Sequence, residues 1–439
     1  MLLFLLGNSA DSLYAQEITF SGVGPINHSL AGTAAALPRD SAGAIYWNPA
    51  TISHLEYSEL QFGLGRHNAL WYGDECVVLA PVAVLLFTLW LISDHDDDQW
   101  DTPNSNKKNE KPPPSPKKTK KPVIRVPTLS YLYRPTGSRW SYGLGISEYG
   151  ATKIHIDALG DTFGSDDAIG ITEYRFQGYE FMPTIAYRES RHFSVGFSPL
   201  FSIDEMPNAT LPVIPFNQYT GIAQHQRSKA GVGMQLGVYY APTRRTRFGV
   251  SVRTPLLISR YTYRWINPVT GDLHTQRLSF SQDSAFRIVV GASRTLRNDK
   301  TTFSADFRYA DYSHASALYD IPASFDPAVK PQGNSRAVYS LAVSGEHHPW
   351  DILAFRMGYQ WNHALTPDRS VIYNTGLPIQ SGHSIHYGLT AFFSAHFDIS
   401  WSVSHAFGGG ETFFMEEQSI RFRRNPNRSN FWIAARFRF

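Results

Sequence analysis

The sequence predicts an all-β fold: a transmembrane antiparallel β-barrel of about 14 strands, with a small N-terminal helical hatch in its lumen. Three observations predict it. Apolar and polar residues alternate with a period of two from about residue 125 onward, short and long connections follow each other in turn, and the chain ends on Phe439. Such alternation between turn clusters is typical of barrel strands, whose side chains face lipid and lumen in turn.

The clearest strand pattern begins at Phe397. One face would carry Phe397, Ile399, Trp401 and Val403, and the other Asp398, Ser400, Ser402 and Ser404. Segments that begin at Phe303, Ile385 and Phe431 repeat it, and Asp306 and Arg308 of the first would face a wet lumen. A soluble β-sandwich would also alternate, but the final aromatic residue resembles the assembly signal of bacterial outer-membrane proteins. We therefore expect the outer-membrane barrel assembly machinery as a partner.

The connections give the strand number. Short ones such as RPTGSR, RESRH, APTRRTR and HHPWD separate strand pairs, and long ones at residues 204–228, 315–334 and 408–428 separate the others. Short periplasmic turns and long outer loops are the rule for bacterial barrels. Counting from Tyr57 to Phe439 yields roughly fourteen strands in a barrel of residues 56–439, and an even number brings both barrel ends to the periplasmic side.

Composition supports the barrel and excludes other classes. Aromatic residues make up 14% of the chain, as lipid-facing strands with aromatic girdles require. The formal net charge of +3 is too small to indicate nucleic-acid binding. The single cysteine, Cys76, excludes an intramolecular disulfide, and no Cys/His spacing predicts a zinc site.

Catalytic signatures are absent from the sequence. It contains no Gly-x-Ser-x-Gly elbow, HExxH helix, phosphate-binding loop or dinucleotide fingerprint. Ser404-His405 and His347-His348 come without a recognisable acid partner. We therefore expect no enzyme, no cofactor and no metal site.

The first residues, MLLFLLGNSADSLYAQ, are typical of a secretory signal peptide over residues 1–15 that is cleaved near Ala15. The mature chain would then start near Gln16. A basic region before Leu2 is missing, so either the start codon is assigned too late or the signal is poor.

Residues 16–55 precede the first strand and are predicted to form the hatch. The stretch 21–55 is rich in Gly, Ala and Ser and lacks the period of two, which favours a compact plug of short helices. Pro49 disfavours helical geometry at Asn48, so a turn is expected there. The alternative is a periplasmic linker.

At this point the sequence resembles the FadL/TodX-type family of long-chain fatty acid and aromatic hydrocarbon transporters of the outer membrane. Asn48, Pro49 and Ala50 match the motif that ends the family's Gly/Ala-rich hatch, and GLGISEYGATKI and residues 355–407 continue the resemblance. It implies a lumen filled by the hatch and passive diffusion of a hydrophobic small-molecule ligand. The ligand would pass from an outer site to a lateral opening at a kink of the third strand, near Tyr149 and Gly150. We expect a multi-pass monomer in the outer membrane of a Gram-negative-type bacterium.

The segment 76–122 departs from the family because it is far longer than a first outer loop needs to be. Its apolar run from Val77 to Ile92 is interrupted by Pro81 and is short for a spanning helix. An apolar collecting surface over the barrel mouth, a membrane-dipping loop and an inner-membrane anchor all remain open. DHDDDQWD lacks the Gly and the final Glu of a calcium loop. Lys107 to Lys121 should form an extended linker close to anionic lipopolysaccharide.

Two groups of residues are candidates for ligand contact. A ligand carboxylate could pair with a lumen-facing arginine, since charge-assisted hydrogen bonds to Arg are strong, and Arg287, Arg308, Arg436 and Arg438 have the right parity. The alternative is a charge network between wall and hatch that includes Asp306, Glu346 or Asp398. Ligand capture outside is assigned to apolar loop residues, where the alternative is loops packing on each other: Phe87, Trp90, Leu211, Val213, Ile214 and Phe216.

Three functions follow as hypotheses. The first is a passive channel for hydrophobic ligands such as long-chain fatty acids. The second is a structural or adhesive barrel that acts through its enlarged first loop, and the third is a porin for polar solutes. An open porin needs no hatch, so the predicted hatch favours the first hypothesis.

Overall fold

A computed structural model describes residues 22–67, 124–156, 172–205, 228–258, 261–266, 273–280, 285–311, 337–363, 382–407, 412–415, 420–423 and 428–439. Fourteen long strands form one sheet: β1 Glu59–His67, β2 Ile124–Tyr133, β3 Trp140–Ile156, β4 Thr172–Arg188, β5 Phe193–Glu205, β6 Lys229–Tyr240, β7 Thr246–Arg253, β8 Phe286–Thr295, β9 Thr301–Asp311, β10 Ala337–Trp350, β11 Leu353–Asn362, β12 His383–Phe392, β13 Phe397–Phe407 and β14 Arg428–Arg438.

The sheet closes on itself as an up-and-down barrel. Each strand pairs antiparallel with the next, and β14 pairs with β1 from Glu59↔Arg438 to Arg66↔Phe431. Closure removes the two free edges of the sheet, so most backbone polar groups of the wall are satisfied within the hydrocarbon layer. The predicted barrel of fourteen strands is confirmed.

The two faces of the wall differ as the period of two predicts. On β9, Phe303 and Phe307 expose 54% and 46% of their surface, whereas Ser304, Asp306 and Arg308 expose 5% or less. The same alternation runs along β6, where Met234, Leu236 and Val238 are exposed and Gln235, Gly237 and Tyr239 are buried. Apolar side chains therefore face lipid and polar ones face the interior.

The connections also alternate. Six short connections of two to six residues join β2 to β3, β4 to β5, β6 to β7, β8 to β9, β10 to β11 and β12 to β13, all at one end of the barrel. We call it the short-turn end. Phe439 lies there too: its backbone N–H donates to Ser58 O at 3.0 Å and its ring stacks on Tyr131 with centroids 6.2 Å apart.

Three short helices precede the barrel: α1 Gly24–Ser29, α2 Ser41–Trp47 and a 3₁₀ helix Pro49–His54. The remaining short strands are Leu257–Ile258, which pairs with β6, and two hairpins, Tyr261–Ile266 with Leu273–Phe280 and Thr412–Met415 with Ile420–Arg423. Among the described residues, no helix is long and apolar enough to cross a membrane.

Candidate functional site

Residues 22–55, called the hatch from here on, fill the interior of the barrel. Nearly every one of these residues is buried, including five alanines with no exposed surface: Ala31, Ala35, Ala36, Ala44 and Ala50. Alanine lets helix and loop backbone approach the wall closely, because it adds only one methyl group to the backbone. The Gly/Ala/Ser composition of this stretch thus allows the hatch to pack tightly against the barrel wall.

α2 begins at Asp40, whose carboxylate accepts a hydrogen bond from Gly43 N at 3.2 Å as an N-cap. Burial first, and then the neighbouring carboxylate of Glu59, raise the pKa of Asp40 to about 7. Glu59 also accepts from the backbone N–H of Ser41. The carboxyl group of Asp40 therefore gains or loses a proton near neutral pH, at the place where the hatch meets β1.

Asn48 stands between α2 and the 3₁₀ helix with extended backbone (φ −153°, ψ 100°), the geometry that a following proline favours. Its amide nitrogen donates to the carbonyls of Ala35 at 2.7 Å and Val238 at 2.9 Å. Its amide oxygen accepts from Ala50 N at 3.1 Å. The side chain thus ties two parts of the hatch to each other and to β6.

Two wall glycines make room for this motif. A β-carbon at Gly237 would collide with the amide oxygen of Asn48, and one at Gly249 would collide with the carbonyl oxygen of Ala35. Both positions face inward on β6 and β7. Glycine is needed there for close approach.

Asp306 on β9 holds the middle of the hatch. One of its oxygens accepts from the backbone N–H groups of Ala34 at 3.0 Å and Ala35 at 3.1 Å. Two buried donors of a loop without regular structure are therefore satisfied by one carboxylate, which is a strong arrangement because the acceptor is charged.

Arg287 and Arg308, the two predicted carboxylate partners, both point at the hatch. Arg287 donates to Tyr46 O at 3.1 Å, and Arg308 donates to Ala31 O at 2.8 Å. Their guanidinium carbons lie 4.6 and 4.1 Å from the ring centroid of Trp47, so both stack on an aromatic face. Arg308 keeps two buried nitrogens, Nε and Nη1, without a described hydrogen-bond partner.

A second charged group lies nearer the short-turn end. Glu346 pairs with Arg39 of the hatch at 2.8 Å and with Arg356 of β11 at 2.6 Å. Asp398 pairs with Arg436 at 2.9 Å and Arg438 at 2.8 Å, and Arg436 also donates to Arg39 O at 2.7 Å. The attraction between these paired ions offsets part of the free-energy cost of removing them from water.

The wall changes its pairing beside β3. The described backbone pairs β2 with β3 only from Tyr133↔Tyr142 to Thr128↔Ser147, although β2 continues to Ile124 and β3 to Ile156. Opposite β4, the register shifts between Glu148↔Tyr179 and Gly150↔Gly178, which leaves Tyr149 as an extra residue. Such a bulge bends a strand and increases its twist.

The hatch touches β3 just before this bulge through apolar side chains, mainly Ile45, with Ile52 also near Gly143. A β-carbon at Gly145 would lie 2.9 Å from Ile45 Cγ2, and one at Gly143 would lie 3.0 Å from Ile45 Cδ1. The contact is of van der Waals type.

The whole-chain pattern matches one family. The model of the outer membrane protein transport protein family (OMPP1/FadL/TodX) matches residues 6–375. The chain belongs to the OMPP1/FadL/TodX family. Membership confirms the resemblance stated from the hatch motif and places the chain in the outer membrane.

Solved structures agree with the fold of this OMPP1/FadL/TodX member. The Pseudomonas putida toluene transporter TodX is 12% identical (TM-score 0.62, 96% of this chain and 99% of that chain). The Ralstonia pickettii toluene transporter TbuX is 15% identical (0.59, 96% and 99%), and a Pseudomonas aeruginosa FadL homologue is 13% identical (0.58, 94% and 98%). No protein of curated function matches the sequence.

Several predicted positions of this family member lie outside the described residues. These are the signal peptide 1–15, the segment 76–122, and the capture residues Phe87, Trp90, Leu211, Val213, Ile214 and Phe216. At the predicted kink the backbone of Tyr149 and Gly150 is described, and their side chains are outside the described set.

Sequence reasoning missed several residues that the structure brings to the hatch. Arg253 pairs with Glu180 and lies 5.7 Å from the Tyr46 ring, and Gln235 donates to Tyr46 O and Trp47 O. The period of two in the sequence was enough to predict that both side chains face the interior. Their contact with the hatch was not, because it joins positions about 190 residues apart in the case of Gln235.

Proposed function

We propose that this protein transports hydrophobic small molecules, such as long-chain fatty acids or similar apolar compounds, passively across the outer membrane. The ligand binds at the outer loops, passes the hatch and leaves sideways through the wall at β3. The named relatives, two toluene transporters and a FadL homologue, support an apolar cargo. Diffusion down a gradient needs no nucleotide, metal or redox cofactor.

One observation carries the proposed route: the β2–β3 ladder ends at Thr128↔Ser147 next to the bulge at Tyr149, beside a lumen that the hatch fills. A filled lumen opposes straight passage, and an unpaired stretch of wall offers an exit to lipid. For an apolar molecule this exit is favourable, since it avoids crossing water.

The hatch is positioned to respond to cargo through Ile45, which contacts Gly143 and Gly145 below the bulge. Movement of α2 would therefore alter the packing of β3 where the wall is least paired. In this scheme the Asn48-Pro49-Ala50 motif fixes the resting position of the hatch.

A carboxylate cargo would have a partner in Arg308, whose Nε and Nη1 are buried without a described hydrogen-bond partner, and Arg287 lies beside it over Trp47. We assign the first capture to Phe87, Trp90, Leu211, Val213, Ile214 and Phe216 on sequence grounds. The expected monomer, the contact with lipopolysaccharide and assembly by the barrel machinery also belong to this proposal.

A porin for polar solutes is less well supported, because the buried hatch leaves no wide aqueous path among the described residues. Nothing in the described part of the chain favours an adhesive role.

Uptake of labelled oleate and labelled toluene by cells without their own transporter tests the route. Deletion of Tyr149 makes the β3–β4 ladder regular, and we expect at least a tenfold loss of uptake. Tyr149→Ala keeps the extra residue and is the matched control, which should retain most of the uptake. Both variants must reach the outer membrane as heat-modifiable barrels.

Undiminished uptake after the deletion would exclude the lateral route. No uptake of either compound by the unchanged protein would exclude this cargo class. For Arg308→Gln, we expect oleate uptake to fall more than toluene uptake, since only oleate carries a carboxylate. Equal losses of oleate and toluene uptake would mean that Arg308 acts only by holding the hatch and does not bind the carboxylate.

A further inference from the structure

A cavity lies beside the hatch at the short-turn end of the barrel. Its volume is about 870 Å³, within the range of roughly 300–1,000 Å³ typical of small-molecule sites. Hatch residues 37–39, 54 and 55, followed by Glu56 and Tyr57, form its inner side, and turn residues Arg191, His192, Thr243 and Arg244 form its rim. It is separate from the proposed lateral exit at β3.

The lining carries an excess of positive charge, with seven arginines and three glutamates. Four of these arginines are paired: Arg39 and Arg356 with Glu346, and Arg436 and Arg438 with Asp398. Arg191, Arg244 and Arg247 form no ion pair with a carboxylate in the described part of the chain. Arg247 donates to neutral oxygens: Thr295 Oγ1 at 3.0 Å, Arg244 O at 3.2 Å and the hydroxyl of Tyr239.

Burial and the positive charge near this cavity lower the pKa of His54 at the edge of the hatch. Burial is the main reason that its pKa falls to about 3, and the arginines Arg188, Arg134 and Arg247 lower it further. Its Nε2 lies 3.1 Å from Ser194 Oγ. The neutral imidazole leaves the positive potential of the cavity to the guanidinium groups.

Apolar side chains lie beside buried charged ones in the lining of the cavity, where Glu59, Glu346, Arg356 and Arg436 are also buried. Leu37, Leu55 and Tyr239 are buried at its hatch side, and Phe392 lies on the opposite wall. A cationic rim next to the apolar surface of Leu37 and Leu55 is complementary to a molecule with a negative head and a hydrocarbon tail. Arginine suits such a head because its planar fork binds carboxylate or phosphate oxygens in pairs.

We propose that this cavity is a binding site for an amphiphilic anion that reaches it from the periplasmic side, with its head held by Arg191, Arg244 and Arg247 and its tail on Leu37 and Leu55. Two sources share this chemistry: a free fatty carboxylate and an anionic phospholipid of the inner leaflet. The site goes beyond the proposed transport route and does not depend on it.

Binding to the full chain in nanodiscs of neutral lipid tests the site. Octanoate and dioctanoyl phosphatidylglycerol are the two probes, and octanol is the uncharged control. The variant Arg191→Gln/Arg244→Gln/Arg247→Gln removes the cationic rim. The matched control, Arg245→Gln/Arg297→Gln, removes exposed turn arginines of the same end that do not line the cavity.

We expect one class of sites for at least one anionic probe, weakened tenfold or more in the triple variant and unchanged in the control. Added salt should weaken it as well. Binding of octanoate alone identifies a free carboxylate as the source, and binding of the phospholipid alone identifies the leaflet. Equal binding of octanol, equal loss in both variants, or binding of neither anion would overturn the proposal.

Discussion

The hatch is held differently on its two sides. Toward β6–β9 it is fixed by buried hydrogen bonds, among them those of Asp306, Asn48 and Arg287. Toward β3, the described contacts are the apolar packing of Ile45 on Gly143 and Gly145 and of Ile52 near Gly143. On neighbouring β2, Ser130 Oγ lies 2.8 Å from Ser41 Oγ of α2. Breaking a buried hydrogen bond leaves unsatisfied groups at about 1–3 kcal/mol each, whereas a van der Waals contact costs little to separate. The direct contacts with β3, the strand that carries the bulge, are therefore the weaker ones.

This difference can be measured as the opening free energy of the hatch amides, obtained by hydrogen–deuterium exchange of peptides from residues 22–55. Variants on the hydrogen-bonded side should lower it strongly, and variants on the β3 side should lower it slightly. Four experiments follow, in order of decreasing expected effect.

Asp306→Ala should have the largest effect. It removes a charged acceptor from Ala34 N and Ala35 N, and two lost bonds to a charged group correspond to about 3–6 kcal/mol. Ionic conductance in planar bilayers should rise as the hatch loosens. Ser304→Ala, two residues away on the same inner face, is the control and should change neither quantity. A closed, fully protected hatch in Asp306→Ala would contradict the anchoring role.

Asn48→Ala should come next, at about 2–4 kcal/mol, because two buried carbonyls lose their donor. Exchange should increase both near Ala35 and near Ala50, since Asn48 joins these segments. Ser53→Ala removes a bond that stays within the hatch, to Ala50 O, and should leave the docking intact. If both variants lower the opening free energy of the hatch equally, the bond from Asn48 to β6 contributes no more to docking than a bond within the hatch.

Gly145→Ala tests the apolar side and should cost about 1 kcal/mol, since overpacking of a flexible neighbour is partly relieved by small shifts. The new β-carbon would press on Ile45 Cγ2 at 2.9 Å. In a double-mutant cycle with Ile45→Ala, exchange at α2 should show a coupling of similar size. Additive effects would mean that Ile45 and β3 are not in contact in the membrane.

The pH dependence through Asp40 should be the smallest effect over the interval from pH 7 to pH 8, at about 0.4 kcal/mol. Its pKa is raised from 3.8 to about 7 by burial and by Glu59, so the docked hatch holds the proton more tightly than the free segment. Docking is therefore favoured in full below pH 3.8, and this advantage is lost as the pH rises through 7. Arg436 and Gln61, which also face Asp40, act in the opposite sense.

The measurement is exchange at α2, corrected for the intrinsic effect of pH, in the unchanged protein and in Asp40→Asn. The substituted protein should lose this part of the pH slope and keep an acceptor for Gly43 N. An equal slope in both proteins would exclude Asp40 as its source.

Much of the barrel could be predicted from local patterns. The strand around Phe303 faces lipid and lumen as its parity predicted, because side-chain direction in a strand alternates by geometry alone. The strand around Phe397 alternates too, except that Trp401, predicted to face lipid, is only 8% exposed. The count of fourteen followed from the alternation of short and long connections. The hatch position was predicted only as a filled lumen, since its helices are short and have no strong periodicity.

The sequence by itself determined the strands, their faces and their number, because these depend on neighbours within about ten positions. The tertiary structure alone decided which wall strands form hydrogen bonds with the hatch and which, like β3, pack on it through apolar side chains. It set Asn48 against Gly237 and Ile45 against Gly145, and it gathered Arg191, Arg244 and Arg247 at one rim. These contacts depend on the closure of the barrel, which brings together segments that are distant in the sequence. No local sequence pattern predicts them.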